Sequence, residues 1–164
     1  MEKIEAVIEI PVGTKNKYEV DKARDRVKLD RVLYSAMSYP AEYGYIENTL
    51  ANDDDPLDIL VISSEPTFPG CIVPARILGC LEMYDNGKED YKIISVVDVD
   101  PRYNDINELD DLSSFTLEEI KHFFENYKTL QRIEVIVKDF SGKEKALEVI
   151  EESKRKYNEE KSQQ

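Results

Sequence analysis

Residues 4–10, Ile4-Glu5-Ala6-Val7-Ile8-Glu9-Ile10, set Ile4, Ala6, Ile8 and Ile10 against Glu5, Val7 and Glu9. A period of two predicts a β-strand, which Pro11 and Gly13 terminate. Further β-rich runs follow at Leu57–Ile62, Ile72–Met83, Lys92–Val99 and Ile133–Lys138, and Pro74 and Gly79 predict a bend or bulge in the second. Val27, Leu29 and Leu33 fall on one strand face, with Arg31 on that same apolar face. Two helices interrupt or follow the sheet. Thr116 and Glu119 have capping-box spacing ahead of a Leu117, Ile120, Phe124, Tyr127 stripe. Gly142 precedes a second helix, Lys143–Tyr157, with Ala146, Ile150, Ser153 and Tyr157 on one side and Glu151–Arg155 and Glu152–Lys156 as solvated pairs. Many short strands and then helices predict an α+β fold, mainly β, built on a small curled sheet or barrel.

At 164 residues the chain is expected to form one domain, 1–164, with residues 158–164 a frayed polar tail. Such a length buries about 68–70% of its unfolded surface, enough for a core without staples. Hydrophobic residues make up 41% and aromatics 9%, which argues against disorder although 35% are charged. With 22 Lys+Arg against 35 Asp+Glu, the net charge of −13 should repel nucleic acid and anionic membrane surfaces. Cys71 and Cys80 form no CxxC and read as reduced thiols. Neither a signal peptide nor a long apolar run is visible, so a cytoplasmic protein without membrane or nucleic-acid partners is expected.

The densest chemical signal is Asn52-Asp53-Asp54-Asp55-Pro56-Leu57-Asp58, four carboxylates within six positions running into an apolar strand. A solvated turn accounts for Asp54. It does not account for Asp58, which sits between Leu57 and Ile59 and needs a partner if ionised. Oxygen ligands alone point to a hard cation, Mg²⁺ or Mn²⁺, rather than zinc. Strict alternation would separate Asp53 and Asp55 from Asp58, so a kink at Pro56 is expected.

Asn86-Gly87 predicts a hairpin turn in Asp85–Lys92, with Asp90 and Lys92 sharing a face beyond it. Taken alone, those two are better explained as a structural ion pair, whereas for Arg31 a structural pair and a functional role explain the residue equally well. The Ser38–Tyr45 segment supplies Tyr39, Tyr43 and Tyr45, a residue type that usually packs with one satisfied hydroxyl. Tyr127-Lys128 stands at a helix end, where the dipole favours lysine. The lone His122 reads as a helix-packing or subunit-contact residue. Inward carboxylates, a separate set of Lys, Arg and Tyr donors, and no Cys-His or Ser-His pair together suit metal-assisted phosphoryl transfer.

Ile8-Glu9-Ile10-Pro11, Lys17-Tyr18-Glu19, Asp30-Arg31, Tyr39-Pro40, Tyr43-Gly44-Tyr45, Asp53-x-Asp55-Pro56-Leu57-Asp58, Asp85, Asp90-x-Lys92 and His122-Phe123-Phe124-x-x-Tyr127-Lys128 resemble, in that order, soluble family I inorganic pyrophosphatases of the prokaryotic type. The resemblance runs from about Val7 to Tyr157. It implies an OB-fold-like five-stranded barrel with two packed helices, assembled as a homo-oligomer, usually a hexamer. It implies that Asp53, Asp58 and Asp90 ligate the tightest Mg²⁺, that Asp85 and Asp90 hold a metal arriving with substrate, and that Glu9 and Glu19 complete the outer shell. Asp55 matches the general base. Lys17, Arg31, Tyr43, Lys92, Tyr127 and Lys128 match donors to the phosphates, and Tyr39 an active-site aromatic.

Three departures stand out: Asp54 replaces a common glycine, the chain starts close to the Glu9 strand, and Asp139-Phe140 replaces a frequent Gly-Trp. The implied reaction is Mg²⁺-dependent hydrolysis of inorganic pyrophosphate to two phosphates by in-line attack of a metal-bound hydroxide. Rival readings are a metal-dependent hydrolase or transferase of nucleotide diphosphates, and an OB-fold oligonucleotide-binding module. The first lacks a Gly-rich phosphate loop, and the second is disfavoured by the charge.

Overall fold

In the computed structural model, which describes residues 2–163, the strands are β1 (Lys3–Ile10), β2 (Asn16–Asp21), β3 (Arg26–Val32), β4 (Glu42–Tyr45), β5 (Asp58–Ile62), β6 (Ile72–Asp85), β7 (Lys88–Glu89), β8 (Lys92–Val97) and β9 (Val135–Gly142). The helices are α1 (Ser114–Asn126) and α2 (Lys143–Ser162). Five strands close into a ring in the order β1-β4-β5-β8-β6, because β6 pairs back onto β1. Every pairing in the ring is antiparallel except β5–β8. This is the OB-like barrel, mainly β with two packed helices, and closure removes the free edges that would invite aggregation.

The runs at β5 and β8 are apolar at consecutive positions because both of their faces are buried. Leu60, Ile94 and Val96 join one core with Ile120, Phe123 and Phe124 of α1, while Ile59, Val61, Ile93 and Val97 join a second with Ala146 and Ile150 of α2. The expected irregularity of β6 is present, since its register shifts between Ile77 and Gly79 against β8. A Cβ at Gly79 would lie 2.3 Å from the Ser141 carbonyl oxygen, so only glycine lets β9 approach.

Several expectations need correction. The α1 N-cap is Ser113, whose hydroxyl accepts from the Phe115 N–H, and Thr116 already lies inside the helix. Of the two readings of His122, packing within the chain fails: the residue is exposed, because the buried stripe passes through Phe123 and Phe124 beside it. β9 begins at Val135 and continues to Gly142, beyond the expected Lys138. On α2, Arg155 pairs with Glu152 and Glu159 and Lys154 with Glu151, rather than the two i,i+4 pairs read from the sequence. The helix runs on to Ser162 through residues assigned to a polar tail.

The largest correction concerns β3. Among the described residues it pairs only with β2, in a two-stranded ribbon, and Val27 and Leu29 are 46% and 49% exposed because none of those residues covers that face. Cys71 and Cys80 are both free. Among the described residues no helix is long and apolar enough to cross a membrane.

One buried cation ties a loop to the barrel. Arg76 is 3% exposed, meets Asp98 at 2.7 Å, and donates to the carbonyls of Tyr103 and Ile106. Arg76→Ala is expected to cost about 3–5 kcal/mol in denaturant unfolding, since it orphans two carbonyls and removes a buried ion-pair partner. The Arg76 guanidinium, with Lys3 behind it, holds the Asp98 carboxyl below the usual carboxylate range. That contribution to stability is therefore complete above the ordinary carboxylate pKa and is lost as pH falls through the lowered folded-state value.

Candidate active site

At its start the acidic segment forms a tight turn. The Asp55 N–H donates to Asp53 Oδ1 at 3.1 Å, the Ala51 N–H donates to the Asp55 carbonyl at 2.8 Å, and Asp54 sits between at φ +68°. This left-handed residue breaks the two-residue alternation ahead of Pro56. Asp53, Asp55 and Asp58 consequently line one cavity instead of opposite strand faces. Aspartate tolerates the left-handed region better than most side chains. Asp54→Gly is expected to leave unfolding free energy within about 1 kcal/mol of the parent, whereas Asp54→Val should lose about 1–2 kcal/mol.

The centre of the site is an ammonium. Asp58 opens β5 and lies opposite Lys92 in the parallel β5–β8 pairing. Lys92 Nζ lies 2.6 Å from Asp58 Oδ2, 2.8 Å from Asp90 Oδ2 and 2.8 Å from the Tyr43 hydroxyl, which itself donates to Asp58 at 2.9 Å. The side chain is 2% exposed and stands 5.3 and 5.6 Å from the ring centres of Tyr43 and Phe124. Burial alone would lower the Lys92 pKa, but Asp58, Tyr43 and Asp90 outweigh it and hold the amine firmly protonated.

A second acid–base group forms at the β6–β7 hairpin, where Asn86 and Gly87 both take positive φ. It presents Asp85 to Lys128 and, at 3.4 Å, to the Tyr127 hydroxyl just past α1. The ribbon supplies a third. A bulge at Lys17/Tyr18 sets Lys17 opposite Arg31, and both bond Asp30, at 3.7 and 2.8 Å. Arg31 Nε is buried without a partner among the described residues.

All thirteen expected residues line a single cavity of about 420 Å³: Asp55, Lys17, Arg31, Tyr43, Lys92, Tyr127, Lys128, Asp53, Asp58, Asp90, Asp85, Glu9 and Glu19. Tyr39 lines it too, packed 4.8 Å from Phe123 and 5.3 Å from Tyr43, with burial pushing its hydroxyl pKa up. Lys22 and Tyr45 also line it and were missed, as was Asp30 as the shared acceptor. A lysine in a polar turn carries no sequence signal. The role of Asp30 depends on the bulge.

Seven carboxylates face five cationic side chains here. Burial, against the Val20 N–H and with Asp58 adding to it, raises Glu9 to about 7; burial likewise raises Asp90 to about 6 despite Lys92, and lifts Asp53. An all-oxygen donor set with too few cations fits a hard divalent ion such as Mg²⁺ or Mn²⁺. Asp53, Asp58 and Asp90 line the same cavity. Among the described residues no three acidic, His or Cys side chains form an ion-holding group, and Lys92 stands between Asp58 and Asp90.

Residues 6–158 match the family model described as inorganic pyrophosphatase. The chain is 54% identical over 158 residues to the inorganic pyrophosphatase of Geobacillus stearothermophilus, covering 96% of each chain. It is 56% identical over 154 residues to that of Halalkalibacterium halodurans, covering 94% of each. The crystal structure of inorganic pyrophosphatase from Thermus thermophilus superposes with a TM-score of 0.92 at 42% identity, covering 96% of this chain and 92% of that one.

Proposed function

Since the chain belongs to the inorganic pyrophosphatase family and is thereby a hydrolase, we propose that it cleaves inorganic pyrophosphate to two phosphates in the cavity described, with Mg²⁺. The supporting observation is the gathering of seven carboxylates and five cations in one cavity, with Lys92 fixed between Asp58 and Asp90. Asp53, Asp58, Asp85 and Asp90 would hold Mg²⁺ ions, and Glu9 and Glu19 would order water around them. When bound, the ions lower the pKa of water and neutralise phosphate oxygens.

The protein supplies the rest. Asp55 accepts the proton of the attacking water as general base. Lys17, Arg31, Lys92 and Lys128, with the Tyr43 and Tyr127 hydroxyls, hold the two phosphoryl groups and stabilise charge on the departing phosphate. Mn²⁺ or another hard divalent ion is the alternative cofactor in this reading. A cytoplasmic homo-oligomer, favoured as a hexamer, with no membrane or nucleic-acid partner, completes it, and mass in solution checks the assembly. One domain, 1–164, carries the activity.

Phosphate release from pyrophosphate, measured with Mg²⁺ and then with excess EDTA, tests the reaction. Activity should vanish with EDTA and return with added Mg²⁺, while nucleoside diphosphates assayed in parallel stay uncut. Undiminished turnover in EDTA would overturn the metal-dependent reading.

A further inference from the structure

Lys22 lies in the turn between β2 and β3 and lines the active-site cavity, yet it has no part in the reaction described above. The other four cations there are each engaged by a carboxylate: Lys17 and Arg31 by Asp30, Lys92 by Asp58 and Asp90, and Lys128 by Asp85. Lys22 has no carboxylate partner among the described residues. The reason lies in its own turn. Its neighbour Asp21 is occupied by Arg24, which donates from its main-chain N–H at 3.2 Å and from two guanidinium nitrogens at 2.7 Å. Lys22 is also exposed while lining the cavity, which sets it at the cavity's rim.

We propose that Lys22 is the substrate-recruiting residue of this enzyme, the rim ammonium that captures the pyrophosphate anion before the buried donors engage it. The inference rests on the pyrophosphatase reading. A chain of net charge −13 repels an approaching polyanion, and Lys17 and Arg31, already engaged by Asp30, and the buried Lys92 offset that repulsion poorly outside the cleft. An unpaired ammonium at the rim offsets it directly. Its influence extends over about 8 Å at physiological ionic strength, so it acts on capture and on salt dependence rather than on the bond-breaking step.

Steady-state kinetics on Lys22→Gln, with Lys22→Arg as the charge-conserving variant and Lys161→Gln as a remote control for net charge, test this. Lys22→Gln should lower kcat/KM for pyrophosphate about fivefold at low ionic strength with kcat unchanged. The gap should close near about 0.5 M salt. Lys22→Arg should restore the parent value, and Lys161→Gln should change nothing. Calorimetric titration with imidodiphosphate and Mg²⁺ needs no turnover and should show the same loss of affinity in Lys22→Gln. A wild-type kcat/KM and salt profile in Lys22→Gln, or a loss confined to kcat, would overturn the role. A parent chain that hydrolyses no pyrophosphate refutes the reaction instead, and the calorimetry then judges Lys22 by itself.

Discussion

Asp55→Asn is expected to lower kcat for pyrophosphate hydrolysis about 10²–10⁴-fold, the range for removal of a positioned general base. Asp58 and Asp90 have oxygens engaged by Lys92, and Asp85 is engaged by Lys128. The Asp55 carboxylate has no hydrogen-bond partner among the described residues and faces the cavity, which leaves it free to take a proton. Its main-chain N–H and carbonyl, not its side chain, make the bonds that hold the turn. Asparagine should therefore keep the fold and the metal ligands while losing basicity. Unchanged Mg²⁺ affinity by calorimetry, beside collapsed kcat, is the expected signature. A fall of less than tenfold would remove Asp55 from the role of base.

Lys92→Met combines a catalytic loss with a loss of stability whose size depends on metal. Methionine approximates the volume of the lysine stem, so packing against Tyr43 and Phe124 is largely kept. The loss is the ammonium that Asp58 and Asp90 share, which leaves two carboxylates facing each other in a largely buried site. Removing one partner of a buried ionic group costs about 3–5 kcal/mol. Thermal unfolding of the variant in EDTA should show that loss, and added Mg²⁺ should recover more stability than it adds to the parent. Turnover should fall about 10²–10³-fold, as for loss of one electrostatic donor. A variant as stable as the parent in EDTA would mean that Lys92 does not neutralise the pair.

Four of the five barrel strands were visible because they are apolar at one or both faces; β4, inside the tyrosine-rich Ser38–Tyr45 segment, was not. β1 announces itself by alternation, and β5 and β8 by continuous β-branched and leucine residues. The ribbon shows the limit of the same signal: Val27 and Leu29 read as part of one apolar face, and periodicity cannot say whether anything lies on top of a face. The N-cap of α1 went to Ser113 because a second serine-or-threonine position, three residues upstream, met the same chemical requirement.

By itself the sequence determined the residue types, their order and the mainly β class, since side-chain period and composition are local properties. Asp53-x-Asp55-Pro56-Leu57-Asp58 was legible as a hard-cation segment because carboxylates that run into an apolar strand need a positive partner there. Tertiary structure alone decided which charges meet. The parallel pairing of Asp58 with Lys92 and the bulge at Lys17 bring residues separated in the chain within 2.6–3.7 Å. Coulomb energy depends on that separation and on burial, neither of which a linear sequence carries. For the same reason Lys22, one lysine among many in the sequence, stands out only once Asp21 is seen to be held by Arg24.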